Sequence, residues 1–100
     1  MKTKPEIVQW VRRFGYPVVV FNQLTDGIIL SEITATLICE QKNVFNRFVS
    51  KDDPSKNVDL VKRVLETSGL FNEAFKSAKY QPDAIGIQYL FSVLMATSNT

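Results

Sequence analysis

One hundred residues, 45% of them hydrophobic, suffice for one small globular core and are too few for two. Twelve Lys and Arg against ten Asp and Glu leave a net charge of +2, too slight an excess to mark a nucleic-acid binder. The chain has no histidine and a single cysteine, Cys39. That removes the usual neutral-pH proton shuttle, an internal disulfide and the ordinary structural zinc sites. No apolar run approaches the roughly 20 residues that span a bilayer. The opening MKTKPEIVQW has no continuous apolar stretch of the signal-peptide kind. The expectation is a soluble intracellular module with no metal, no cofactor and no catalytic role.

The apolar period is helical over most of the chain. Ile7, Val8, Val11 and Phe14, with Trp10 beside them, form one stripe of a helix near residues 4–14. Thr3 and Glu6 have capping-box spacing, Pro5 fits a first turn, and Gly15 is a stop. Tyr16 to Phe21 is ambiguous, because Val18, Val19, Val20 and Phe21 have the propensity of a buried strand. No comparable run exists to pair with it, so the better reading is an extended connection that plugs a helical core. Thr25 or Asp26 caps the next helix, over about 26–40, with Gly27 in its first turn. Ile29, Ile33 and Leu37, flanked by Leu30, Thr34 and Ile38, give that helix a broad apolar surface and a central position.

Residues 41–56 are the least regular: Val44, Phe45, Phe48 and Val49 fit one side of a short helix, and SKDDPSKN reads as a loop. Asn57 is the expected cap of a helix that buries Val58, Val61 and Leu65 and ends at Gly69. Its outer face alternates Asp59, Lys62, Arg63 and Glu66. A short helix over Leu70 to Ala78 and a last helix over Ile85 to Ala96, burying Leu90 and its apolar neighbours, complete the pattern. The polar end TSNT is expected to fray. The predicted fold is an all-α, compact single-domain bundle of about five to six helices with an ordered core over about 4–96.

Catalytic constellations are absent. Cys39 ends an apolar stripe and has no histidine or other activating partner, so it reads as a core residue. Asp52 and Asp53 read as solvated turn residues. The four glycines are too dispersed for a phosphate cradle, and no calcium loop is present. A DNA-reading helix would need a run of exposed basic residues, and the mixed-sign face around Lys62 does not supply one.

One constellation goes further. Ile7-Val8-Gln9-Trp10-Val11, a hydrophobic connection, and then Leu24-Thr25-Asp26-Gly27-Ile28-Ile29-Leu30-Ser31-Glu32-Ile33 resemble the calponin-homology domain. The likeness is to the divergent single copies at the heads of Hook, NuMA-like and sperm-flagellar microtubule-associated proteins. It is concentrated in residues 7–33, and beyond them it rests on helix order. The tryptophan that many members carry before the Asp-Gly is replaced by Gln23-Leu24-Thr25. The later "NW"-type element is only echoed by Asn57-Val58. These departures point to the microtubule-associated or adaptor branch.

The resemblance makes Trp10, Asp26 and Gly27 fold determinants, with Trp10 clamping across the start of the middle helix and glycine admitting a neighbouring segment. It implies a non-enzymatic cytoplasmic, cytoskeleton-associated module, at a centrosome or cilium, that binds tubulin or a cytoskeletal protein. It also implies the head of a longer coiled-coil protein, dimeric through regions outside this chain, with no nucleic-acid or membrane partner. The alternative is an adaptor domain of a centrosomal, ciliary or trafficking assembly without filament affinity, using Phe45, Phe48 or Phe71 in an apolar groove. The surface cations expected to meet an acidic partner are Lys4, Arg12, Arg13, Lys42, Arg47, Lys51, Lys76 and Lys79.

Overall fold

The first helix, α1, covers Lys4–Arg13. The Thr3 hydroxyl starts it by accepting from the Glu6 N–H and donating to Glu6 Oε1, at 3.4 and 3.0 Å. The glutamate thus takes the threonine hydroxyl, where a capping box would have it reach a backbone N–H. Arg12 and Arg13 sit in the last turn, where cations oppose the helix dipole. Ile7, Val8, Trp10 and Val11 face inward, and Gly15, at φ 97°, turns the chain. The structure, a computed structural model, describes residues 2–39, 42–69 and 84–98.

The connection after α1 is neither helix nor strand and reaches Val20 in an extended conformation, but only part of it plugs the core. Val18 and Phe21 are buried, whereas Val19 and Val20 are 73% and 53% exposed. A 3-10 turn follows over Phe21–Leu24 and buries Leu24.

Helix α2, Ile28–Ile38, is the central element, packing against the 3-10 turn and the three described helices that follow it in the chain. It begins two residues later than the sequence predicts. Gly27 is its N-cap at φ 74°, and the Ile28 N–H donates to Asp26 Oδ1 at 3.0 Å. Its buried hydroxyls cost little, because Ser31 and Thr34 each donate to the carbonyl four residues back, both at 2.7 Å. Ile33 is buried, while Leu37 is only half-buried against the edge of the core.

Helix α3, Lys42–Asn46, is shorter than the apolar pattern implies. Tight turns from Val44 O to Arg47 N and from Phe45 O to Phe48 N end it. Phe45 is therefore buried while Val44 and Phe48 face water, and the four apolar residues do not share one side. Helix α4, Pro54–Thr67, starts three residues before the expected Asn57. Asp53 caps it through the Lys56 N–H, and Pro54 supplies a pre-set φ in the first turn. Val58, Val61 and Leu65 are its buried stripe, as their spacing predicts.

Helix α5, Ala84–Ser98, buries Ile87, Leu90, Phe91, Leu94 and Met95. It continues through Thr97 and Ser98 of the tail expected to fray. Their hydroxyls donate to Val93 O and Met95 O within the helix. Lys2, two residues before α1, is clipped to α5: its N–H donates to Ser92 Oγ, and Gln88 Nε2 donates to its carbonyl oxygen. The short helix expected over 70–78 lies outside the described residues.

Five α-helices and no strand make up the described residues. The Cα radius of gyration of 12.3 Å matches the value of about 13 Å for a compact chain of this length. Trp10 is buried, yet not where the sequence reading puts it. Its ring meets Phe91 of α5 edge-on at 6.5 Å and Phe14 at 4.8 Å. The principal neighbours of α1 are α5 and the 3-10 turn. The segment lying against the start of α2 is instead the first turn of α4.

Candidate functional site

A close interlock joins the turn before α2 to α4. A Cβ placed on Gly27 would lie 2.8 Å from Asn57 Cβ, so no other residue fits there without displacement. Asn57 is fully buried and uses its amide completely. Its Nδ2 donates to Asp26 O and Ser50 O, and its Oδ1 accepts from the Ser50 N–H, at 2.8, 2.7 and 2.7 Å. Asp26 keeps an exposed side chain, and it is its backbone carbonyl that ties the two helices. This cluster is satisfied and closed; it positions α2 and α4 and offers nothing to a ligand.

The open surfaces lie elsewhere. Along one face of α1, Lys4, Val8 and Arg12 recur every four residues, and Val19, Val20 and Phe21 stand opposite. Between them runs a groove of about 480 Å³. Val8 and Phe21 make its floor, and the exposed Val19 and Val20 its far wall. Lys4 Nζ lies 5.5 Å from the Phe21 ring centroid, within cation–π range. Arg12 and Arg13 are exposed and meet no carboxylate among the described residues. The first 25 residues contain four cations and one carboxylate, Glu6, which faces Lys2 at 3.9 Å. This face is consequently basic beside an apolar trough.

Of the remaining predicted cations, Arg47 and Lys51 do not line that groove. Lys42 opens α3, while Arg47 and Lys51 are exposed in the chain between α3 and α4, and α3 packs on α2. Lys76, Lys79 and Phe71 lie outside the described residues. A second, smaller groove of about 250 Å³ is lined by Phe48, Lys56, Asp59, Leu60 and Arg63. Phe48 is 66% exposed, whereas Phe45, expected beside it, is buried. The alternating charges of Asp59, Arg63 and Glu66 continue from it along α4.

Two titratable groups are perturbed. Cys39, partly buried at the end of α2, lines a shallow groove with Leu60, Arg63 and Val64, and burial raises its thiol pKa. A raised pKa favours the protonated thiol, and Cys39 sits at the rim of a groove instead of in the core where the sequence reading puts it. Tyr16 donates to Glu32 Oε2 at 2.8 Å. Burial first, then that hydrogen bond and the carboxylate charge, push its hydroxyl up to about 12. Among the described residues, no three Cys, Asp or Glu converge to hold a metal ion, and no helix is long and apolar enough to cross a membrane.

Sequence reasoning missed the exposure of Val19 and Val20 and the keystone position of Asn57. The signal for the first was Gln23, three residues after Val20, whose Oε1 accepts from the N–H groups of both valines at 2.7 and 3.1 Å. Comparison with protein-family models, curated proteins and solved structures finds no match for this chain.

Proposed function

We propose that this chain is a non-enzymatic interaction module of the calponin-homology kind, working in the cytoplasm at the cytoskeleton. It binds the acidic surface of microtubules or docks a microtubule-associated protein. One observation carries this reading. Lys4, Arg12 and Arg13 are exposed on α1 beside exposed valines, and among the described residues no carboxylate faces the two arginines. A cationic face of this kind raises the encounter rate with an acidic lattice and gives affinity that salt screens.

Co-sedimentation with microtubules over a salt series tests the reading. Binding is expected at low ionic strength and lost as salt rises. Absence of sedimentation at the lowest salt removes the tubulin part.

A second reading has its own observation. Phe48 stands exposed over a groove of mixed charge on α4, which suits an adaptor that meets a protein partner without filament affinity. Phe48→Ser abolishing partner binding with filament sedimentation unchanged, or absent throughout, favours that reading.

A further inference from the structure

We infer that the groove between α1 and the Val19–Phe21 segment receives a short, acidic, amphipathic helix from another protein. This rests on the reading of the chain as an interaction module and gives its α1 face a ligand class.

Charge complementarity selects the sign of the occupant. Lys4 and Arg12 stand at the two ends of the trough, eight residues and hence about 12 Å apart along the helix axis. Among the described residues no carboxylate lines the trough, and Glu6, the only one in the first 25 residues, is turned to Lys2 and Thr3. A partner carrying carboxylates about two helical turns apart meets both cations at once.

Backbone hydrogen bonding selects its form. An exposed stretch outside any helix such as Val19 and Val20 would ordinarily invite a further strand. Here the donors are already taken: the Val18 N–H bonds to Tyr16 O at 2.9 Å, and Gln23 Oε1 holds the N–H groups of Val19 and Val20. Val20 O accepts from the Gln23 N–H. Strand addition would have to break these bonds, so the occupant docks through side chains. A helix satisfies its own backbone and lays apolar residues at i, i+3 and i+4 against Val8, Val19, Val20 and Phe21, with acids flanking them.

The test is selection from a displayed library of helical peptides of about 16 residues, the length of a groove-binding helix. The selected peptides are then titrated into wild-type protein and into Val20→Asp and Lys4→Glu/Arg12→Glu variants, all at solvent-facing positions. The expected result is enrichment of acidic amphipathic helices whose binding weakens about tenfold or more in each variant. Amide shifts on binding are expected at α1 and residues 18–23. The inference is overturned by any of four results: no enrichment, enriched peptides without acids, equal binding to Val20→Asp, or occupation of the face by a second copy, seen as self-association that the same variants abolish.

Microtubule sedimentation of Val20→Asp separates this proposal from the broader one. If the variant loses the peptides and still pellets, the groove assignment stands and the filament contact is made by cations outside it. If wild type pellets and no peptides are enriched, the groove assignment falls while the filament reading survives.

Discussion

Gly27 and Asn57 interlock so closely that a methyl group on the glycine would lie 2.8 Å from the asparagine Cβ. Gly27 also has φ 74°, so two separate demands, a left-handed backbone and missing volume, fall on one residue. Gly27→Ala is expected to cost about 2–4 kcal/mol, from backbone strain and displacement of α4 together. Asn57→Ala strands Asp26 O and both polar groups of Ser50, and is expected to cost about 2–4 kcal/mol. Urea unfolding measures both. The two residues should couple: in an Asn57→Gly background, Gly27→Ala loses the clash and costs only about 1–2 kcal/mol of backbone strain.

Tyr16 gives a pH dependence. Its folded pKa, about 12, lies above the unfolded value of 10.0, so the folded state holds the phenolic proton more tightly. The stabilisation is fully present below pH 10.0 and is lost as pH rises through about 12. A phenolate titration should show Tyr16 ionising late, and Tyr16→Phe should remove that step. Tyr16→Phe should also flatten the stability profile above pH 10.0.

Trp10 is the sole tryptophan and is 7% exposed against Phe91 and Phe14. Its emission should be blue-shifted in the folded state and move to the red on unfolding. Trp10→Ala removes the ring between α1 and α5 and is expected to cost about 3–5 kcal/mol. Phe91→Ala, which removes one of the indole's two edge contacts and opens its buried side, should red-shift the native emission.

The helix caps make a smaller, local prediction. Thr3→Ala and Asp53→Ala each remove the acceptor for one first-turn N–H and should cost about 1 kcal/mol. Amide exchange should quicken in the first turn of α1 or α4 and be unchanged elsewhere.

Residues whose position follows from a helical period were legible from the sequence: Trp10, Ile33, Val61, Leu65 and Leu90 are all buried. Glycine at position 27 was legible too, because an Asp-Gly pair ahead of an apolar run asks for a special backbone or a close neighbour. Asn57 was not. The amide chemistry that makes asparagine a good helix cap also lets it bind three backbone groups from two distant loops, and only the tertiary fold chooses between them. Val19 and Val20 were misplaced for a related reason. A run of valines has the propensity of a buried strand, yet one glutamine side chain replaces the missing ladder and leaves them in water. The candidate cations are the least legible group. Spacing puts Lys4 and Arg12 on one face of α1, but which cations lie opposite a carboxylate depends on folded neighbours that no local pattern encodes.

The central claim is that recognition resides on the basic face of α1. The direct measurement is microtubule sedimentation at low salt with two charge-reversal variants, Lys4→Glu/Arg12→Glu/Arg13→Glu and Arg47→Glu/Lys51→Glu. The account predicts that the first loses about tenfold or more in affinity while the second changes by less than about threefold. Equal loss in both variants, or wild-type binding by the first, contradicts it.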